Sequence, residues 1–183
     1  MNKAAQQFLL KLARQTLEYY FDTKKVLEVE VSDEELKEKH GTFVTLTKKG
    51  LLRGCIGHIE PVQEIYEDVI ENTLSAAFED TRFTPLEKEE MGDVEIEISV
   101  LTNPKQLIYS SPDDLLNKLQ PLRDGVIIEK GRHGATYLPQ VWEGLSDKNE
   151  FMSSLCLKAG LPTDEWRGGQ LKVLTYQAEV FKE

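Results

Sequence analysis

Residues 93–101 constrain this chain most. Val94, Ile96, Ile98 and Val100 alternate strictly with Glu95, Glu97 and Ser99. Side chains of a strand point alternately to its two faces, so this run has one apolar face and one polar face. It belongs in an antiparallel sheet with one side packed and the other wet, not in a parallel sheet buried on both sides. The rest of the chain must cover that apolar face.

The surrounding pattern supplies helices for the purpose. Residues 4–20 place Ala5, Phe8, Leu9, Leu12, Thr16, Tyr19 and Tyr20 at three- and four-residue spacing, which predicts an amphipathic helix. Ser32-Asp33-Glu34-Glu35 reads as the cap of a short helix, with Gly41 beyond its end. Residues 42–47 and 51–59 read as a hairpin about the turn Lys48-Lys49-Gly50. Pro61 suits the first position of a second long helix. Its stripe is Val62, Ile65, Tyr66, Val69, Ile70, Thr73, Ala76 and Ala77, with Glu64, Glu67, Asp68 and Glu71 outside.

Further on, Ser111-Pro112-Asp113-Asp114 opens a short helix. Residues 126–128 and 135–138 flank a basic, glycine-rich tip. Residues 148–159 form a helix with Phe151, Met152, Leu155 and Ala159 inward, ended by Gly160 and Pro162. Leu174, Tyr176, Ala178 and Val180 alternate in one final strand. Helices and strands are mixed without β-α alternation, so the class is α+β around a mainly antiparallel sheet. One domain spans residues 1–183, with a smaller lobe over about 104–145 set off by Asn103-Pro104 and the termini together in the larger lobe.

Composition removes several functions. The chain has 22 Lys+Arg against 32 Asp+Glu, a formal net charge of −10. That opposes broad binding to nucleic acid or an anionic membrane. No apolar run approaches the ~20 residues of a membrane span, and the N-terminus lacks a signal-peptide core. Cys55 and Cys156 form no disulfide framework and no C-x-x-C, so a reduced, cytoplasmic protein is expected. With His40, His58 and His133 scattered, no dedicated metal site is expected. Neither a P-loop nor a G-x-G-x-x-G is present, and no cofactor can be named.

The segment with the clearest chemical potential is Leu52-Arg53-Gly54-Cys55-Ile56-Gly57-His58. Two glycines weaken a strand and mark a bulge or a close approach of ligand or backbone. In an extended strand Arg53 and Cys55 share one face, Ile56 and His58 the other. A cation beside a thiol favours thiolate, which makes Cys55 a candidate nucleophile or metal ligand. The plain alternative is a packed cysteine with Arg53 in an ion pair. Asp80 and Arg82 read equally as a helix-end salt bridge or as a clamp for an anion. Gln140 is either an amide donor to a ligand or part of a strand's exit. His58 reads as a surface or capping residue, and Cys156 as core.

These residues also carry a resemblance. Leu52-Arg53-Gly54-Cys55-Ile56-Gly57 resembles the hallmark of the AMMECR family, called AmmeMemoRadiSam system protein A in microbes. Phe43-Val44-Thr45-Leu46, Ala76-Ala77-Phe78-Glu79-Asp80-Thr81-Arg82-Phe83, Glu97-Ile98-Ser99-Val100-Leu101, Tyr137-Leu138-Pro139-Gln140-Val141 and Lys158-Ala159-Gly160-Leu161 follow the family's other motifs in order. Thr81 stands where proline is usual, and residues 141–148 depart from the usual pattern. The resemblance implies an α+β fold of two unequal lobes with a cleft, and association with Memo-type and radical-SAM proteins. It implies no reaction.

Two functional expectations follow. In the first, Cys55 and Arg53 are catalytic, and Gly54, Ile56, Gly57, Arg82 and Gln140 line a cleft for a small or modified substrate. Main-chain N–H groups of Gly54 or Gly57 would serve a developing oxyanion. In the second, the hallmark strand is a non-catalytic surface that docks a Memo-type or radical-SAM partner.

Overall fold

In a computed structural model, which describes residues 1–169 and 171–183, the N-terminal stripe is helix α1, Lys3–Thr23. The Asn2 side chain caps it by accepting from the Ala5 N–H, and Lys24 ends it with φ of 60°. The other helices are α2 (Ile65–Phe78), α3 (Pro112–Lys118) and α4 (Lys148–Lys158). The strands are β1 (Thr42–Lys48), β2 (Leu51–Gly57), β3 (Val94–Leu101), β4 (Lys105–Gln106), β5 (Gly125–Lys130), β6 (His133–Tyr137), β7 (Lys172–Tyr176) and β8 (Ala178–Lys182). They form two antiparallel four-stranded sheets, β2-β1-β3-β8 and β4-β7-β5-β6. The α+β class read from the sequence is therefore the observed one. The chain divides into two units, Met1–Asn103 with Glu179–Glu183, and Pro104–Ala178.

In the first unit β1 lies between β2 and β3, with Val44 opposite Ile98 and Ile56, and Leu46 opposite Ile96. These side chains meet α1 and α2 in one apolar core. Lys49 and Gly50 have φ of 53° and 76°, the two left-handed positions that a tight hairpin turn demands. Residues 43, 45, 55 and 97 point to the sheet's other face, where Thr45 stands between Cys55 and Glu97.

The second unit has its own core. Trp142 stacks on Phe151 at 3.5 Å, and its indole N–H donates to the Asp124 carbonyl. Cys156 is fully buried there, and Gly160, with φ of 72°, follows the end of α4.

Two boundaries differ from the sequence reading. Helix α2 starts at Ile65 rather than Pro61, and Val62 is exposed. The Ile65 N–H donates to the Glu38 carbonyl, and Lys39 bridges Glu64, so residue 64 is held extended. The final strand is two strands. Strand β7 pairs with β4 and β5 in one sheet, and β8 joins β3 in the other. Val173 of β7 joins the core of the second unit and Phe181 of β8 packs on that of the first; neither belongs to the alternating set, so the alternation carries no label for a sheet.

Candidate functional site

The hallmark strand is shaped first by its neighbours. A β-carbon on Gly54 would stand 2.0 Å from the Ala76 carbonyl oxygen of α2. Only glycine lets the strand lie this close to the helix backbone. At Gly57 a β-carbon would fall 2.3 Å from both the Phe43 ring and the Thr42 carbonyl oxygen. The approach at both glycines is made by the chain's own atoms. The strand's irregularity lies opposite the step from Leu46 to Thr47, at Arg53, not at either glycine. Ile56 is half-buried against the core.

Arg53 spends its guanidinium on its own unit. It makes a bidentate pair with Glu90, 3.1 and 2.8 Å, and donates to the carbonyls of Thr84 and Pro85. Lys48 and the Glu87 N–H also donate to Glu90. Arg53 foremost, against the opposing effect of burial, holds the Glu90 carboxyl down to about 2. The Arg53 and Glu90 side chains are 13% and 15% exposed, so this is a nearly buried pair.

Cys55 is held through its main chain. Strand β2 is an edge strand, and the peptide groups of an edge need partners. The Asp80 carboxylate accepts the Cys55 N–H at 2.9 Å, and the Arg82 guanidinium donates to the Cys55 carbonyl at 3.1 Å. Arg82 also pairs with Asp80 at 2.6 and 2.9 Å. The two side chains thus close a ring on the N–H and C=O of one residue, which belong to adjoining peptide units, and stand in for a neighbouring strand. Arg82 first, then the Cys55 and Arg82 N–H groups, hold Asp80 far below the usual carboxylate range despite its burial. The Cys55 sulfur, on the sheet face away from α1 and α2, accepts a hydrogen bond from the Thr45 hydroxyl at 3.2 Å. Cys55 itself is half-buried, while the Arg82 side chain is 55% exposed.

Other assignments need revision or remain separate. Asp68, placed outside the α2 stripe by the sequence reading, is buried. It accepts from the Thr42 N–H and hydroxyl, Asn72, Gln63 and His58 Nδ1, the last at 2.7 Å. A carboxylate only accepts, so His58 carries its hydrogen on Nδ1. Gln140 belongs to the second unit, exposed on a single turn of 3-10 helix. Glu90, Thr45 and Asp68 were not singled out as site-building residues, because pairing across tens of residues leaves no local spacing. Among the described residues no three His, Cys, Asp or Glu side chains gather to hold a metal. No described helix is long and apolar enough to cross a membrane.

Comparison with known proteins supplies the relationship. The AMMECR1 family model matches residues 10–181. Protein MK0488 of Methanopyrus kandleri is 41% identical over 182 residues, 97% of this chain and 87% of that protein. A protein of Thermofilum pendens is 43% identical over 188 residues, covering 96% and 88%. The crystal structure of the uncharacterized protein PH0010 from Pyrococcus horikoshii matches with a TM-score of 0.86 at 40% identity, over 96% of this chain and 90% of that one.

Proposed function

The chain belongs to the AMMECR1 family, and on that premise we propose that it presents the Cys55 thiol to a small or modified substrate on a rigidly held peptide. The observation that carries this reading is the closed ring of Asp80 and Arg82 on the N–H and C=O of Cys55. It fixes the main chain at Cys55, while the sulfur accepts a hydrogen bond from the Thr45 hydroxyl. A group positioned by its support and left free at its tip is the arrangement that binding or covalent chemistry needs. In this reading the Arg82 side chain, 55% exposed, receives an anionic part of the substrate. Arg53 positions the strand through Glu90 rather than acting on the thiol.

A second reading, an adaptor that docks a Memo-type or radical-SAM protein, draws on Leu51 and Leu52. They are 74% and 44% exposed at the start of the same strand.

The test is capture of small molecules from cell extract by the wild type and by Cys55→Ala, read by mass spectrometry. The proposal expects a compound retained by the wild type and lost from a folded Cys55→Ala protein. Identical retention by both proteins would overturn it. Stable binding of a purified Memo-type protein that Leu51→Asp abolishes and Cys55→Ala leaves intact would favour the adaptor.

A further inference from the structure

Residues 26–31, Val-Leu-Glu-Val-Glu-Val, belong to no helix or strand, yet their burial alternates. Leu27, Val29 and Val31 are half-buried against the core of the first unit, while Val26, Glu28 and Glu30 are exposed. A period of two is that of a strand lying on a packed layer. Among the described residues, no main-chain N–H or C=O of this run makes a hydrogen bond. A strand's worth of donors and acceptors is left to water, the state in which an edge recruits another chain.

Beside the run lies a groove of about 620 Å³ against α2, floored by Leu27, Val29, Ile70 and Leu74. Glu28, Glu67, Glu71 and Glu79 line it, and no lysine or arginine does. The donors these carboxylates meet are neutral: the Tyr66 hydroxyl for Glu67, the Gln63 amide for Glu71 and the Ser75 hydroxyl for Glu79.

We propose that this groove takes an extended basic segment of a partner protein, which pairs with residues 26–31 as an added β-strand. Its alternate side chains meet the apolar floor and the carboxylate rim. Main-chain pairing supplies the affinity and the alternation of Lys or Arg with apolar residues supplies the specificity. A second copy of this chain is the poorer occupant. Self-pairing would bring the Glu28 and Glu30 carboxylates of the two copies onto one face of adjoining strands, which is unfavourable, and would join two chains of net charge −10. The inference does not depend on the Cys55 site.

The probe is a fluorescent octapeptide alternating Lys and Val, titrated with the full chain at low salt by anisotropy. Three comparisons accompany it: an alternating Glu and Val peptide, the Lys/Val peptide N-methylated at alternate main-chain nitrogens, and the chain carrying Glu67→Gln and Glu71→Gln. Both of these positions are exposed, so the fold survives the exchange. Expected are binding of the Lys/Val peptide and none of the acidic one. N-methylation and the double substitution should each weaken binding at least tenfold. Amide exchange at residues 26–31 should slow at least tenfold on saturation. Binding of no peptide overturns the proposal. Equal binding of the N-methylated peptide overturns strand addition, and equal binding by the double variant overturns the charge argument. A dimer in sedimentation that the peptide displaces assigns the edge to a second copy and overturns the partner.

Discussion

The Asp80 carboxylate accepts the main-chain N–H of Cys55 at 2.9 Å from 25 residues away. A buried acid, rather than a neighbouring strand, completes the edge of the sheet at the cysteine. Replacing Asp80 with alanine removes hydrogen bonds to a charged group and strands the Cys55 N–H. We expect Asp80→Ala to lower stability by about 2–3 kcal/mol in urea unfolding. A loss below ~0.5 kcal/mol would mean that water replaces the carboxylate without penalty.

Gly54→Ala should be worse, because the added carbon meets the Ala76 backbone oxygen at 2.0 Å and α2 must move away. A loss of roughly 3 kcal/mol or more is expected. Gly50→Ala is the control. It has φ of 76° and nothing within 4 Å, so it carries only the left-handed strain of about 1 kcal/mol. Equal losses at the two positions would contradict the close approach of strand and helix.

Arg53→Ala leaves Glu90 without its bidentate partner in a nearly buried place. The expected loss is on the order of 3 kcal/mol. Arg53→Lys should recover only part of it, since one ammonium cannot serve both Glu90 and the carbonyls of Thr84 and Pro85. Full rescue by lysine in thermal unfolding would show that charge alone matters there.

Acid should unlock the same pair. Glu90 is held from 4.5 down to about 2 in the folded chain, chiefly by Arg53. The folded state therefore takes up that proton less readily than the unfolded chain. The stabilisation is complete above pH ~4.5 and is lost as the pH falls toward ~2. Wild type and Glu90→Gln should differ by roughly 2–3 kcal/mol near neutral pH and converge in acid. Urea midpoints that stay parallel across this window would contradict the pairing.

The sheet of the first unit was legible because β1, β2 and β3 alternate or sit beside a clear turn, and alternation is local. The start of α2 was not, because the Glu38 carbonyl that receives the Ile65 N–H lies outside any helix pattern. Asp68 was misplaced because a charged residue normally marks the wet side of a helix; its five donors come from Thr42, which gives two, His58 and Gln63 elsewhere along the chain, and from the helical neighbour Asn72. At the hallmark, the residue types were readable and their employment was not. Arg53 pairs with Glu90, and Asp80 and Arg82 hold the main chain of Cys55. Main-chain partners leave no signature in side-chain spacing.

If the Cys55 thiol serves a substrate, the hallmark's supports hold a thiol that is itself available. Alkylation of the native chain by iodoacetamide, with sites located by peptide mass mapping, tests this most directly. Cys156 is fully buried, and burial pushes its thiol up, so it should react only on unfolding. Cys55 is half-buried, with its sulfur beside Thr45 on the sheet face away from α1 and α2. Modification at Cys55 alone is expected while the fold persists. A Cys55 that stays unmodified until the chain unfolds, as Cys156 does, would contradict it and leave the hallmark as architecture only.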